Sequence, residues 1–439
     1  MPKTEQKKKK AYQLVKGMKD ILPDDQRYWD FVYNLVNKMG EMYGFKRIET
    51  PVLEFAELFN KGVGQATDIV EKEMYNFVDQ GEDHLTLRPE GTASIVRAYI
   101  EHGMINLPQP VKLFYLMPMF RRDRPQAGRY RQHTQFGFET LGEADPVCDA
   151  QIILIAYKIY QAVNLPISIQ INSVGCADCR PAYLNQLKEY FKRCKSRLSD
   201  VSAARLAKNP LRILDSKEKE DLPLIADAPQ QVDFLCENCK NHFIQVLEHL
   251  EELEIPYVLN PTIVRGLDYY SKTTFEIWVG DDEGGRQSAL GGGGRYDGLV
   301  EMLGGQTTPA VGFASGVERL IAQIKERDFK VPELPKPTVF VAQLGGDAKK
   351  KSLALFEKLN LAGIKVCENL GKSGLKAQLE AADKAGVHFT LILGQKELLD
   401  NTIMIRDMEN GIQEVVDLGK IIPEIKKRLE KSVVSDTEK

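Results

Sequence analysis

The chain is predicted to be an α+β protein of several domains, from three features: two alternating strands around an arginine cluster, a long polar stretch with helical patterning, and a C-terminal region of alternating strands and helices. The strands are LFYLMPMF, ending at Phe120, and TQFGFETLG, from Thr134. Between them Arg121, Arg122, Arg124, Arg129 and Arg131 place five guanidiniums in eleven residues, a density that points to an anion. The plainer alternative is a solvated basic hairpin. Strand alternation puts Gln135, Gly137 and Glu139 on one face and Phe136 and Phe138 on the other, so one face is core and the other is available for a site.

With 439 residues the chain exceeds one ordinary core, and 43% hydrophobic with 28% charged residues is a globular composition. A net charge of -3 excludes a strongly basic nucleic-acid coat, so an RNA partner must be held by local patches. No stretch approaches the roughly 18 apolar residues that span a bilayer, and the N-terminus has no signal-like apolar segment, so a cytoplasmic protein is expected. Seven cysteines, an odd number, fit reduced thiols.

In chain order, residues 1–16 are expected to be a disordered basic tail, with Lys7–Lys10 at its centre. An amphipathic helix follows on Tyr28, Val32, Leu35, Val36 and Met39, with Asp24 as its cap and Gly44 past its end. A first domain part is placed at 17–174, with FKRIETPVL extended, and a helical insertion carrying KSRLSD and LDSKEKED at 175–255. Strand and glycine signals return at 256–328, where the helix GFASGVERLIAQIKE is expected to close the domain. The proline-rich 329–337 is a linker, 338–430 a small α/β domain, and 431–439 a tail.

Two nucleotide loops fail on spacing. Gly291–Gly294 cannot complete G-x-G-x-x-G because Tyr296 and Asp297 fall where the third glycine belongs, which removes a dinucleotide-dependent oxidoreductase. GKS at Gly371–Ser373 lacks the leading glycine of a phosphate loop, since Val366 stands there. Arginine forks on an antiparallel sheet remain as the physical way to hold phosphate. Separately, Cys176-x-x-Cys179 and Cys236-x-x-Cys239, with 56 residues between the pairs, suit a tetrahedral structural zinc, with Cys194 and His242 as possible substitutes; four ordinary reduced cysteines at turns are the alternative.

Five ordered segments carry a family resemblance. FRRDRP…GRYRQHTQFGFE and GFASGVERL resemble the second and third signatures of class II aminoacyl-tRNA synthetases, while TLRPEGT, VRGLDYY and GGGRYDGL resemble segments peculiar to the histidyl-tRNA synthetases. The resemblance runs from about Gly17 to about Arg428. It implies a class II synthetase-like antiparallel sheet flanked by helices, in two catalytic parts around the insertion, and an anticodon-binding C-terminal domain. The implied activity is histidine–tRNA ligase: histidine and ATP give histidyl-adenylate, and the histidyl group passes to the 3′-end of tRNA(His). L-Histidine, ATP with Mg²⁺ and tRNA(His) are the implied partners, no membrane is involved, and a homodimer is implied with its interface around Phe45–Leu53.

By the same resemblance Arg265 and Arg121 are catalytic, and Glu90, Thr92, Gln135, Glu139, Tyr269 and Tyr270 bind histidine. Arg121, Asp123, Arg129, His133 and Arg319 bind ATP. Asp123 stands where the family usually has Glu, and His133 and Thr134 stand where it has Phe then His, so His133 takes the adenine-stacking place with a smaller, more polar ring. The rival within the resemblance is a non-catalytic paralogue, either an ATP phosphoribosyltransferase regulatory subunit or a histidine sensor. Such proteins tend to lose the arginines or the C-terminal domain, and both are present here.

Overall fold

The computed structural model describes residues 12–65, 67–123, 130–280 and 289–437. It divides into two compact units, Met1–Pro332 and Glu333–Lys439. The strands of the first unit are β1 (Lys46–Arg47), β2 (Leu53–Phe55), β3 (Tyr75–Val78), β4 (His84–Leu87), β5 (Val111–Phe120), β6 (Gln132–Leu141), β7 (Ile167–Ser173), β8 (Tyr257–Leu259), β9 (Ser271–Val279), β10 (Ala289–Arg295) and β11 (Ala310–Gly316). Eight of them form one sheet in the order β1-β5-β6-β11-β10-β9-β7-β8, antiparallel from β5 through to β7 and parallel at its two edges. β2, β4 and β3 form a separate antiparallel sheet.

Register sorts the large sheet into two faces. Phe138 pairs with both Phe114 and Phe313, and the three rings stack across the strands at centroid distances of 5.6 Å. With Phe136, Phe275, Ile277, Ile169 and Ile171 they form the main core, as the alternation predicts for Phe136 and Phe138. Four helices cover that face, each through an apolar stripe: Pro23–Met42 through Val32 and Val36, Pro146–Gln161 through Ile152 and Ile159, Glu237–Glu252 through Val246 and Leu250, and Val317–Glu326 through Leu320 and Ile324. Burying side chains of this size stabilises by about 1.5–3 kcal/mol each before chain entropy is counted.

Several local expectations change. The first helix starts at Pro23 with Leu22 in the cap position, so Asp24 lies in the first turn, where its charge faces the positive helix end instead of capping it. GFASG is not helical: it is β11, a central strand, and the helix begins only at Val317. The four glycines Gly291–Gly294 lie in a strand, β10, in keeping with the strand signals of that region. Within the expected insertion, Tyr183, Leu187, Phe191, Ile213 and Leu224 form their own cluster, but Glu237–Glu252 buries its apolar face in the core of the sheet. That helix is further pinned by His242, whose Nε2 lies 3.3 Å from Asp149 Oδ1, and Asp149 Oδ2 accepts from Arg295 Nη2 at 2.7 Å, both partners of that ion pair being fully buried. Burial pushes the Asp149 carboxyl up, yet the bond to His242 and the Arg295 charge outweigh it and hold the group below its ordinary value.

The second unit is a five-stranded sheet of β12 (Val339–Gln343), β13 (Val366–Glu368), β14 (Phe389–Leu393), β15 (Thr402–Asp407) and β16 (Gln413–Asp417), in the order β13-β12-β14-β15-β16. Both faces are covered, one by Gly346–Leu361 and Ile421–Thr437, the other by Leu375–Ala385. β16 follows β15 directly and so departs from the expected alternation of strands and helices; its exposed, charged pattern QEVVD hides an edge strand from a hydrophobic reading. No helix among the described residues is long and apolar enough to cross a membrane.

Candidate functional site

The face of the sheet opposite the phenylalanines carries Gln135, Gly137 and Glu139 on β6, Gly312, Ala314 and Gly316 on β11, Gly292 and Gly294 on β10, and Glu276 on β9. So many small residues leave a shallow floor over which larger groups can lie. At Gly292 an added Cβ would stand 2.5 Å from Arg265 Nη1, and at Gly312 it would run into the Glu139 carboxylate. Over this floor is a cavity of about 400 Å³, within the size range of small-ligand sites.

Glu139 lies on the floor, 1% exposed. The Thr92 hydroxyl donates to its Oε1 at 2.8 Å and the Tyr296 hydroxyl to its Oε2 at 2.6 Å. Burial nevertheless dominates and pushes its carboxyl up to about 8. Tyr296, which spoils the glycine motif and lies within GGGRYDGL, is thus a partner of the buried carboxyl. The backbone N–H of Tyr296 bonds Ala310, continuing the β10–β11 ladder, so Tyr296 shares a face with Gly292 and Gly294; period-two counting from the glycines could have found it. Tyr269 packs edge-on to Tyr296 at 5.7 Å and lies 4.8 Å from Tyr270, ring centroid to ring centroid.

Glu90 accepts from the backbone N–H groups of Thr92 and Ala93, both at 2.8 Å, at the start of the helix Thr92–Glu101. Burial raises its carboxyl despite those two bonds. Gln135 Oε1 is buried without a hydrogen-bond partner among the described residues, an acceptor in want of a donor.

Arg265 donates Nη1 to Glu276 Oε1 at 2.7 Å, and its guanidinium lies 5.7 Å from the centre of the Tyr270 ring. Burial works against its charge, but Tyr270 and Glu276 more than offset that and hold it above its usual range. Its Nε is buried without a hydrogen-bond partner among the described residues. Sequence reasoning missed Glu276: on β9, it faces the site and fixes the arginine's direction. Arg121 extends from the end of β5, where its Nε donates to the Pro89 carbonyl at 2.7 Å, and Arg319, in the first turn of Val317–Glu326, donates to the Ala289 carbonyl. Both line the cavity with His133, whose ring is pushed down to about 3, first by burial and then by the charges of Arg121 and Arg319. It is therefore a neutral aromatic plate at ordinary pH.

Asp123 also lines the cavity. Glu318 does too; it accepts from the Thr134 backbone N–H at 2.8 Å, and its carboxyl is pushed up to about 7, chiefly by burial. The structure thus brings together Glu90, Thr92, Arg121, Asp123, His133, Gln135, Glu139, Arg265, Tyr269, Tyr270 and Arg319 around one cavity. Arg129 and Arg124 lie outside the described residues. Of the clustered arginines described, Arg121 lines the cavity, whereas Arg122 is exposed and Arg131 packs against Gly17. The four sulfurs of Cys176, Cys179, Cys236 and Cys239 converge elsewhere, and none of them lines the cavity. Neither of the possible substitutes, His242 or Cys194, belongs to that cluster; His242 Nε2 lies against Asp149 instead.

A largely antiparallel sheet with an arginine-bearing, glycine-floored face, joined to an anticodon-binding domain, is the architecture of the class II aminoacyl-tRNA synthetases. Residues 17–320 match the family model described as histidyl-tRNA synthetase, and 338–428 that of an anticodon-binding domain. The chain is 47% identical to the histidine–tRNA ligase of Dehalococcoides mccartyi strain 195, over 95% of this chain and all of that one, and 45% identical to the one from Desulforamulus reducens, over 94% and 98%. The crystal structure of the apo histidyl-tRNA synthetase of S. aureus superposes with a TM-score of 0.77 at 34% identity, covering 94% of this chain and 99% of that one. The chain belongs to the histidyl-tRNA synthetase family.

Proposed function

We infer that this chain is a histidine–tRNA ligase. In the first step a carboxylate oxygen of histidine attacks the α-phosphorus of ATP and pyrophosphate leaves; in the second, the terminal 3′-hydroxyl of tRNA(His) attacks the acyl carbon and AMP leaves. The observation that carries this reading is the convergence on one glycine floor of a doubly hydrogen-bonded buried carboxyl, Glu139, and a half-buried, carboxylate-fixed guanidinium, Arg265.

Glu139 and Tyr270 read the imidazole, with Tyr269 and Tyr296 closing the pocket around it. An imidazole offers two ring nitrogens, and a buried site built to bond them rejects side chains that lack them. The α-ammonium goes to Gln135 Oε1, which has no other partner among the described residues, and to the remaining lone pairs of Glu90; Thr92, whose hydroxyl is spent on Glu139, acts through that carboxyl. Arg265 stands by the attacking carboxylate and the α-phosphate as a cation fixed before the charge develops, so little reorganisation is needed at the transition state. Arg121 holds the α-phosphate, Arg319 the terminal phosphate, and His133 stacks on adenine, with Asp123 and Arg129 as further ATP contacts. Magnesium would come with the nucleotide phosphates, and Glu318 Oε2, buried without a hydrogen-bond partner among the described residues, would accept it or its water.

The second unit takes the anticodon arm, and the reaction proceeds in the cytoplasm. The dimer reading has support in the small sheet, where Leu53, Phe55 and Phe77 lie on one face and are 45%, 59% and 42% exposed. Pyrophosphate–ATP exchange measured with histidine beside the other amino acids tests the activity. Exchange stimulated by histidine alone is expected; none from folded, magnesium-supplied protein would remove the catalytic assignment.

A further inference from the structure

We propose that Cys176, Cys179, Cys236 and Cys239 bind one structural zinc ion that clasps the two ends of the helical insertion together and onto the catalytic sheet. The two pairs are distant in sequence, yet all four sulfurs lie within 4.8 Å of one another. Cys176 and Cys179 are separated by 3.7 Å, Cys176 and Cys236 by 3.9 Å, and Cys179 and Cys239 by 4.0 Å, sulfur to sulfur. A tetrahedral zinc with bonds of about 2.3 Å requires sulfur–sulfur edges of about 3.8 Å. The thiols are free, and they already stand at the spacing a metal needs.

The surroundings fit thiolates. Cys179 and Cys236 occupy the N-cap positions of the helices Arg180–Arg193 and Glu237–Glu252, so two positive helix ends meet at the sulfur cluster. The Cys176 backbone N–H lies 3.2 Å from Cys179 Sγ and donates to it. Gly175 turns the chain at φ +64°, and a Cβ there would stand 2.6 Å from Cys179 Sγ, so the sulfur is seated against a position only glycine fills. Cys179 and Cys239 are buried while Cys176 and Cys236 are half-buried, which leaves a side from which an ion can enter. Four sulfurs complete a tetrahedron with no open position, so the ion is structural and takes no part in the reaction.

The position of the cluster shows what it fastens. One pair follows the end of β7; the other begins the helix packed into the sheet core. Arg180, next to Cys179, donates its Nε to the Val174 carbonyl at 3.1 Å and its Nη2 to the Gly175 carbonyl at 3.3 Å and to the carbonyl of Tyr270. The same clasp therefore steadies the backbone of a histidine-pocket tyrosine. Uptake releases the thiol protons and fixes a root from which the helices of the insertion project.

The test is metal analysis of the full-length protein, purified under reducing conditions without chelator, with X-ray absorption at the zinc edge. About one zinc per chain, bound by four sulfurs at about 2.3 Å, is expected. Cys176→Ser and Cys236→Ser should each lose most of the zinc, whereas Cys194→Ser should keep it. Because a ligand variant could misfold, the wild-type protein is also titrated with an organomercurial: zinc should leave as four thiols react, and protease should then cut within 175–240. Folded wild-type protein that holds well under one zinc and takes up none from added zinc chloride would overturn the proposal, as would zinc bound through nitrogen or oxygen. The site stands apart from the assigned activity, since zinc content is read without any exchange assay.

Discussion

Arg265 shows how one residue's role depends on its neighbours. Its charge is held by Glu276 and laid against Tyr270, so its direction is fixed before substrate arrives. Arg265→Ala should lower pyrophosphate exchange by about 10²–10³-fold, the usual loss when one preorganised charge-stabilising donor is removed, while histidine binding by calorimetry changes little. An unchanged exchange rate would place the catalytic cation elsewhere. Glu139 supplies a pH signature. Its carboxyl stands at about 8 in the ligand-free fold against an ordinary 4.5, so between those values the folded chain holds a proton that the unfolded chain releases. The stability this contributes is complete below about pH 4.5 and is lost as pH rises through about 8. The melting-temperature margin of wild type over Glu139→Gln should therefore shrink steadily from pH 5 to pH 8.5; a flat margin would mean that the carboxyl titrates normally. At this scale much of the site was legible, because Gln135 and Glu139 sit four apart on a strand and the flanking phenylalanines declare the core face. Tyr296, Glu276 and Glu318 were not, because their parts depend on cross-strand register and on contacts with Glu139, Arg265 and Thr134 from distant segments.

Among elements, the strands that read worst are those with fewest apolar side chains. Four of the seven residues of β10 are glycine and five of the seven of β11 are glycine, alanine or serine, and both strands occupy the centre of the sheet, where they keep the floor of the cavity low. Hydrophobic periodicity has little to register there, which is why GFASG reads as the start of the following helix. The helices over the other face were easier, since their stripes of Val, Ile and Leu bury against the phenylalanine stack. The small sheet yields an element-scale prediction. Phe55 and Phe77 both pair with Leu85 and expose an apolar face. Phe55→Asp with Phe77→Asp should shift the protein from dimer to monomer in light scattering with little change in far-ultraviolet circular dichroism. A wild-type monomer would remove the dimer reading, and a dimeric variant would move the interface.

For the whole molecule, the two units have separate cores, one around the phenylalanine stack and one around Val339, Leu391 and Ile405. Alternating strands and helices after the proline-rich linker made the second unit legible apart from its edge strand. Ending the chain at Pro332 should leave adenylate chemistry within about tenfold of the full protein, given an intact core, and lower charging of tRNA(His) far more, because only the latter uses the anticodon arm. Equal losses in both assays would show that the first unit depends on the second for its own fold. On the proposed function, one wall of the sheet joins histidine to the α-phosphate of ATP, which a regulatory paralogue or histidine sensor of the same fold would not do. Rapid-quench measurement of histidyl-adenylate on the full-length protein, with histidine, ATP and magnesium but no tRNA, tests it most directly. Adenylate should form in about one equivalent per active site; binding of both ligands with no adenylate formed would rule out a ligase.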